Sequence, residues 1–207
     1  MRTNRATLPT MSKPPATYED LEATPEGVRA ELIDGELYLQ ASPAVDHQVV
    51  QGCLHAHLRD RFGGKGGDDP TRPGGWVFVQ APELWLGDPN PKTRVLCPDI
   101  VGWRRERWPR VRTTHGVTVA PDWVCEVLSP STHRHDRLRK ATAYAQAGVP
   151  WYWLLDPIER LVEVYELRDG VWSRVAAAEA GERAVLPPFG GPEFDLSAWW
   201  ADLDDDA

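Results

Sequence analysis

Two acidic residues interrupt stretches of the sequence that are otherwise apolar. Glu126 lies within residues 123–128 (WVCEVL), and Asp99 lies within residues 95–103 (VLCPDIVGW). An ionised carboxylate loses its hydration when it is buried, so it must then be paired or bound to a metal ion. Each segment is predicted to form one strand, and if the two strands are neighbours, the alternation of side chains lets the two carboxylates reach one point.

Such a pair of carboxylates has a chemical and a structural interpretation. Together with water, the two side chains supply the oxygen ligands that Mg²⁺ or Mn²⁺ prefers. A bound ion of this kind polarises a phosphoryl oxygen and lowers the pKa of a bound water. The alternative is that Asp99 caps the turn after Pro98 while Glu126 pairs with a buried arginine. The residue pattern alone leaves both interpretations open.

A helix is predicted to follow Glu126, over about residues 132–147. Asp136, Lys140 and Tyr144 recur at intervals of four and therefore share one face of this helix. They could form an ordinary Asp–Lys surface pair. Alternatively, this face points at the metal ion, and Lys140 supplies positive charge for a phosphate or orients the attacking water.

The other elements must hold these residues in place. The patterns predict a helix at 18–23, a hairpin at 29–39 around Asp34-Gly35, a helix at 44–62, extended segments at 76–86, a strand at 151–155 and a hairpin at 161–175. This order indicates an α/β or α+β fold, in which helices flank a central mixed β-sheet and the first hairpin is an N-terminal extension.

Composition sets limits on the class of protein. The chain has 207 residues, which suits one domain; we expect a flexible leader at 1–16, a single domain at 17–200 and an acidic tail at 201–207. No apolar run is long enough for a membrane helix, and three cysteines without a CxxC pair favour the cytoplasm. A net charge of −8 argues against a general nucleic-acid coat protein but not against an enzyme with a local basic surface.

Basic residues and glycines are concentrated in three places. Residues 63–75 are expected to form a mobile loop. His133 and His135, near a helix start, could contact a phosphate, but we interpret them as solvent-facing. The segment 104–112 (RRERWPRVR) holds five arginines, which we interpret as candidate contacts to a nucleic-acid backbone: Arg104, Arg105, Arg107, Arg110 and Arg112.

Several short motifs, taken in order, carry a family resemblance. They are ELIDGE (31–36), SP (42–43) with His47, PDI (98–100), EVLSPST (126–132), D-x-x-x-K-x-x-x-Y (136–144), GVP (148–150) and YWLLDP (152–157). The ordered set resembles the PD-(D/E)XK nuclease superfamily, and more closely its bacterial branch of restriction-endonuclease-like proteins.

The resemblance implies a Mg²⁺-dependent phosphodiesterase site with Asp99 and Glu126 as metal ligands. The sequence departs from the general motif at Leu128, where E-x-K would place the lysine. In the branch that it resembles, a lysine on the following helix takes that place, and Lys140 fits.

The resemblance also implies that Glu31 and His47 complete the site, with Asp136 and Tyr144 in support. Glu31 could equally be a salt-bridge partner within the hairpin. His47 could equally be a residue near a helix N-terminus that bonds to the backbone.

These observations lead to one main hypothesis and two alternatives. The main hypothesis is a metal-dependent endonuclease that hydrolyses DNA, and by analogy we expect a homodimer, since two symmetric sites suit the cutting of two strands. The first alternative is a catalytically degenerate nucleic-acid-binding or assembly module of the same fold. The second is a metal-dependent hydrolase of a smaller phosphate ester.

Overall fold

Thirteen strands and five helices are found in the computed structural model, which describes residues 14–40, 42–66, 68–109 and 115–203. The strands are β1 Arg29–Ile33, β2 Glu36–Gln40, β3 Trp76–Gln80, β4 Glu83–Trp85, β5 Val95–Leu96, β6 Ile100–Arg104, β7 Gly116–Val117, β8 Trp123–Val127, β9 Trp151–Asp156, β10 Leu161–Arg168, β11 Val171–Glu179, β12 Arg183–Ala184 and β13 Phe194–Asp195. The helices are α1 Tyr18–Glu22, α2 Val45–Phe62, α3 His133–His135, α4 Ala141–Gln146 and α5 Ser197–Trp200. A π-helical turn at Asp136–Lys140 joins α3 to α4, and 3₁₀ turns lie at Pro91–Thr93 and Ala201–Leu203.

A six-stranded sheet in the order β11-β10-β9-β8-β6-β3 forms the centre of the fold. The sheet is mixed, because β8 and β9 are parallel and the other neighbours are antiparallel. A second sheet has the order β2-β1-β5-β4-β7, and its hairpin turns at Asp34-Gly35, where both residues have positive φ. The predicted fold class, with an N-terminal hairpin, is confirmed.

Two apolar clusters pack on opposite faces of the central sheet, as the alternation along β8 requires. Trp123, Cys125 and Val127 belong to the cluster that α2 covers, whereas Val124 and Leu128 belong to the cluster that α4 covers. On α2, the buried side chains Val50, Leu54, Leu58 and Phe62 recur at intervals of four and form one apolar stripe.

The predicted continuous strand over 95–103 is wrong. It divides into β5, which belongs to the second sheet, and β6, which belongs to the central sheet. Pro98 lies at the division and has no N–H to donate to a strand ladder. The chain therefore passes from one sheet to the other at residues 97–99, immediately before β6.

The helix predicted over 132–147 is present, but a π-helical turn interrupts it, which the four-residue spacing does not reveal. The strands β7, β12 and β13 and the helix α5 were not predicted. None of the helices among the described residues is both long and apolar enough to cross a membrane. Residues 1–13 of the predicted leader and 204–207 of the predicted tail lie outside the described residues. The division into one domain with a leader and a tail stays a prediction.

Candidate active site

Asp99 and Glu126 lie beside each other at the ends of neighbouring strands. β6 and β8 are antiparallel, with Ile100 opposite Cys125, so Asp99 immediately precedes β6 and Glu126 is near the end of β8. The backbone N–H of Val127 donates to Asp99 Oδ2 at 2.8 Å, and the N–H of Asp99 donates to Glu126 Oε2 at 3.4 Å. Both carboxylates are buried, with 5% and 1% of the residue exposed.

Lys140 is buried among three carboxylates. Its Nζ lies 2.7 Å from Glu126 Oε1, 3.2 Å from Glu31 Oε1 and 3.6 Å from Asp136 Oδ1. Only 2% of the Lys140 side chain is exposed, so its pair with Asp136 is not a solvated surface pair. The lysine thus reaches Glu126 from the π-helical turn, while Leu128 packs in an apolar cluster.

Glu31 is fully buried on β1 and joins the hairpin to the cluster. Its Oε1 accepts a hydrogen bond from the backbone N–H of Cys97 at 2.8 Å. Its Oε2 accepts one from Gln40 Nε2 at 2.7 Å and lies 2.9 Å from His135 Nε2. Because Glu31 also contacts Lys140, it helps to hold the ammonium group beside Glu126.

The first turn of α2 brings His47 to Asp99. His47 Nε2 lies 3.1 Å from Asp99 Oδ2, and among the described residues His47 Nδ1 has no hydrogen-bond partner. Gln51, one turn further along α2, donates to the backbone carbonyl of Asp99 at 2.8 Å. Arg29 Nη1 lies 3.7 Å from Asp99 Oδ1. The aspartate is therefore fixed from α2, from β8 and from the hairpin.

Two tyrosine hydroxyls hydrogen-bond to Glu126 and to the backbone of Asp136. Tyr144 donates to Glu126 Oε1 at 2.7 Å, and this is the same oxygen that Lys140 contacts. Tyr152 on β9 donates to the backbone carbonyl of Asp136 at 3.1 Å and so fixes the start of the π-helical turn. Both hydroxyls are buried.

The charges of the cluster shift the pKa values of its members in different directions. Burial alone would lower the pKa of Lys140, but Glu126, Glu31 and Asp136 hold it well above its usual value. Burial, together with the nearby acid Asp99, raises the pKa of Glu126 well above its usual value, although Lys140 opposes this. The lysine is therefore charged, and Glu126 binds a proton readily when no further cation compensates the acids.

The pKa values of Asp99 and Asp136 are also shifted. Burial alone would raise the pKa of Asp99, but hydrogen bonding and charge from His47, with Lys140, hold it below its usual value. Burial raises the pKa of Asp136. Asp99 consequently remains ionised more readily than Asp136 does.

A cavity of about 240 Å³ opens beside the cluster. The charged side chains that line it are Arg29, Asp99, Glu126, Asp136 and Lys140. Its remaining lining comes mainly from residues 42–44 and 129–132. A larger depression of about 900 Å³ lies around α1 and residues 87–94, and none of the clustered acids lines it.

The donor set at this cavity fits Mg²⁺ or Mn²⁺. Asp99 and Glu126 provide oxygen ligands, and the surplus of buried acids over buried cations favours an added positive charge. Within the described ranges, no three His, Cys, Asp or Glu side chains are arranged to hold one ion. Two protein carboxylates with water completing the shell would be the expected coordination, since Mg²⁺ keeps several of its waters.

The arginine segment lies at the other end of β6. Arg104 is five residues beyond Asp99, which is about 16 Å along an extended strand. Arg104 stacks on Trp76, Arg105 donates to the carbonyl of Gly64, and Arg107 pairs with Asp122. Contact of these side chains with nucleic acid stays a prediction, and Arg110 and Arg112 lie outside the described residues.

Sequence reasoning missed His135, Arg29 and Gln40 as members of this site. The expectation that His135 faces solvent is wrong, because its ring contacts Glu31 and lies against Tyr38, with ring centroids 4.6 Å apart. The i→i+5 hydrogen bonding of a π turn helps residues five apart to share a face, so His135 and Lys140 both reach Glu31. No signal in the sequence indicates this turn.

Comparisons with known proteins agree with this geometry. The model of the Uma2 family, described as "Putative restriction endonuclease", matches residues 15–198. Among solved structures, the fold is similar to that of a putative nuclease belonging to DUF820 from Anabaena variabilis ATCC 29413. The TM-score is 0.67 at 20% identity, over 90% of this chain and 98% of that chain. No curated protein matches. Because the family model spans most of the sequence, the restriction-endonuclease-like resemblance is confirmed and the chain belongs to the Uma2 family.

Proposed function

We propose that this chain is a metal-dependent endonuclease that hydrolyses DNA phosphodiester bonds. The observation that carries the proposal is the buried group of Asp99, Glu126 and Lys140 beside an open cavity. The family supports it, since the description of the family is that of a restriction endonuclease. Asp99 and Glu126 would hold Mg²⁺ or Mn²⁺, which when bound polarises a phosphoryl oxygen and lowers the pKa of water.

The side chains of the chain itself have separate tasks in this proposal. Lys140 keeps its proton, so it stabilises negative charge on the phosphate rather than acting as a base. Tyr144 orients Glu126 through its hydroxyl, and Glu31 holds Lys140 in place. His47 orients Asp99 through the hydrogen bond to Oδ2.

Cleavage of plasmid and linear DNA by the purified full chain tests the proposal. We expect cleavage with Mg²⁺ or Mn²⁺ that EDTA abolishes, and no cleavage by the Asp99→Ala/Glu126→Ala double variant. Circular dichroism must show that the double variant is folded. Metal-dependent cleavage that persists in this variant contradicts the proposal.

A second candidate function is a binding or assembly module that has kept the fold and lost turnover. Leu128 in place of the strand lysine favours it, as does the finding that no three potential ligands converge among the described residues. Calorimetric titration with Mn²⁺ separates the two candidates, because a module without turnover is expected not to bind Mn²⁺ at Asp99. The homodimer stays a prediction, which light scattering at several protein concentrations would test.

A further inference from the structure

The site around Asp99, Glu126 and Lys140 is so deeply buried that single-stranded and duplex DNA cannot reach it equally well. Asp99, Glu126 and Lys140 are 5%, 1% and 2% exposed, and they are reached through the cavity of about 240 Å³. A phosphate must therefore enter the cavity, and not merely rest on the surface, to meet the carboxylates.

A B-form duplex is much wider than this cavity. Its major groove alone is about 12 Å wide, and its phosphates lie on the outside of a stiff double helix. A phosphate that remains part of an intact duplex brings the whole double helix with it. A single strand can turn one phosphate and its sugar inward, because it has no partner strand to keep outside.

The lining of the cavity also suits a strand better than a duplex. Duplex DNA carries one charge per roughly 1.7 Å of axis, so a protein that grips it needs many cations. Among the described residues that line the cavity, the only Lys or Arg side chains are Arg29 and Lys140. Four hydroxyl side chains, which can hydrogen-bond to phosphate and sugar oxygens, complete much of the rim: Ser42, Ser129, Ser131 and Thr132.

We infer that the substrate of this site is a single DNA strand or an unpaired strand end, in preference to an intact duplex. The inference rests on the proposed function, since it concerns the same site, but selective binding of a strand does not depend on turnover.

Fluorescence anisotropy of a labelled oligodeoxynucleotide tests the inference. The probes are the strand alone, the same strand in a blunt duplex, and that duplex with a single-stranded tail. Binding is measured with the wild-type chain in EDTA and with Glu126→Gln in Mg²⁺. We expect the strand and the tailed duplex to bind at least about tenfold more tightly than the blunt duplex.

Each outcome separates the inference from the proposed function. Equal or tighter binding of the blunt duplex, or no measurable binding of any probe, overturns the inference. Mg²⁺-dependent cleavage of blunt duplex and strand at equal rates also overturns it but leaves the proposed nuclease intact. Selective binding of the strand without cleavage by the wild-type chain supports the inference and contradicts the nuclease.

A matched pair of arginine variants locates the binding. Arg29 lines the cavity, whereas Arg183 on β12 does not. We expect Arg29→Ala to weaken binding of the strand by about threefold or more, while Arg183→Ala, which removes the same charge, leaves it unchanged. If Arg183→Ala weakens binding as much as Arg29→Ala, the strand is held by general charge attraction and the inference fails.

Discussion

The ammonium group of Lys140 is the residue-scale feature on which the other groups of the site depend. Three acids lie within 4.0 Å of Lys140, and each comes from a different element: Glu31 from β1, Glu126 from β8 and Asp136 from the π-helical turn. Removing one partner of a buried ion pair leaves uncompensated charge, which costs more than the pair itself contributes.

Lys140→Met should therefore destabilise the protein as well as abolish the proposed cleavage. The change keeps most of the length of the side chain but removes the charge, and we expect it to lower the free energy of unfolding by about 3–5 kcal/mol. Urea unfolding measures this. Arg139→Met, which removes an exposed charge from the next position, should stay within about 0.5 kcal/mol of wild type. Equal effects of the two changes would contradict the buried position of Lys140.

Tyr144→Phe isolates the orientation of Glu126. The variant loses only the hydroxyl that donates to Oε1, so we expect a loss of about 1–2 kcal/mol in stability and reduced, not abolished, cleavage. Tyr165→Phe is the matched control, since its hydroxyl donates to Glu163 outside the cavity. If both variants lower the cleavage rate equally, the hydroxyl of Tyr144 does not position Glu126.

Sequence could predict some of these residues but not all. An acid within an apolar run marks Asp99 and Glu126, and strand alternation predicts that they can meet. The contact of His135 with Glu31 joins residues 104 positions apart and depends on the π turn, so no local pattern carries it. Gln40 and Arg29 look like ordinary polar residues of a hairpin until the hairpin is placed beside β5.

At the scale of elements, two features that the sequence-based predictions missed place the acids. One is the division of residues 95–103 between two sheets, and the other is the π-helical turn at Asp136–Lys140. Pro98 is the one mark of the first feature within an otherwise apolar run, and the four-residue spacing of Asp136, Lys140 and Tyr144 fits an α-helix equally well. In both places tertiary contacts decide the local geometry.

Deletion of Leu138 tests whether the π turn sets the register of the helix. Leu138 is exposed and lies inside the turn, so its loss should return the helix to α-helical spacing and rotate His135 and Asp136 away from the site. We expect cleavage to be lost while the helical circular dichroism is retained. Leu138→Ala keeps the chain length and should leave activity near wild type. An active deletion variant would show that the register is not needed.

An ion pair between Arg137 and Glu163 attaches the π-helical turn to β10, and it makes the stability of the protein depend on pH. Glu163 lies 2.6 Å from Arg137 Nη1 and 3.2 Å from Arg174 Nη1. Burial alone would raise the pKa of Glu163, but hydrogen bonds from Arg137 and Tyr165 hold it below the usual 4.5. The stabilisation is therefore complete above the unfolded-state pKa and is lost as the pH falls through the lower, folded-state value.

Glu163→Gln should remove this part of the pH dependence. We expect lower stability than wild type at neutral pH and a smaller further loss below about pH 4.5, measured as urea midpoints over this range. Glu159→Gln, at an exposed turn, is the control and should follow the wild-type curve. If Glu163→Gln loses stability at low pH as steeply as wild type does, other acids account for this loss.

At the scale of the whole molecule, sequence predicts the class of fold better than its sheets. The helix α2 is predictable because it buries a regular stripe, and the hairpin of β10 and β11 is predictable because Asp169-Gly170 marks its turn. The second sheet is not predictable from the sequence. Its strands β5 and β7 have only two residues each and β4 has three, and strands of this length are too short to show a period. That sheet nevertheless carries Glu31.

Metal binding should stabilise the whole molecule. An ion that binds only the folded state adds about 2.7 kcal/mol when its concentration is a hundred times its Kd. We expect Mn²⁺ to raise the Tm of the wild-type chain and EDTA to reverse this, whereas Asp99→Asn should show no shift. Asp60→Asn removes a surface charge paired with Arg72 and should respond like wild type. If Mn²⁺ does not change the Tm of the wild-type chain, the result favours the binding or assembly module that holds no metal ion.

The carboxylate cluster draws its members from widely separated stretches of the chain: the first hairpin, the start of α2, the ends of β6 and β8, and the turn at 136–140. During synthesis Glu31, His47 and Asp99 emerge before the lysine that balances them. A nascent chain that has not reached Lys140 therefore holds acids without their counter-charge and cannot form the cavity. Should the chain cut DNA, its order of assembly would delay that activity until most of the protein has been made.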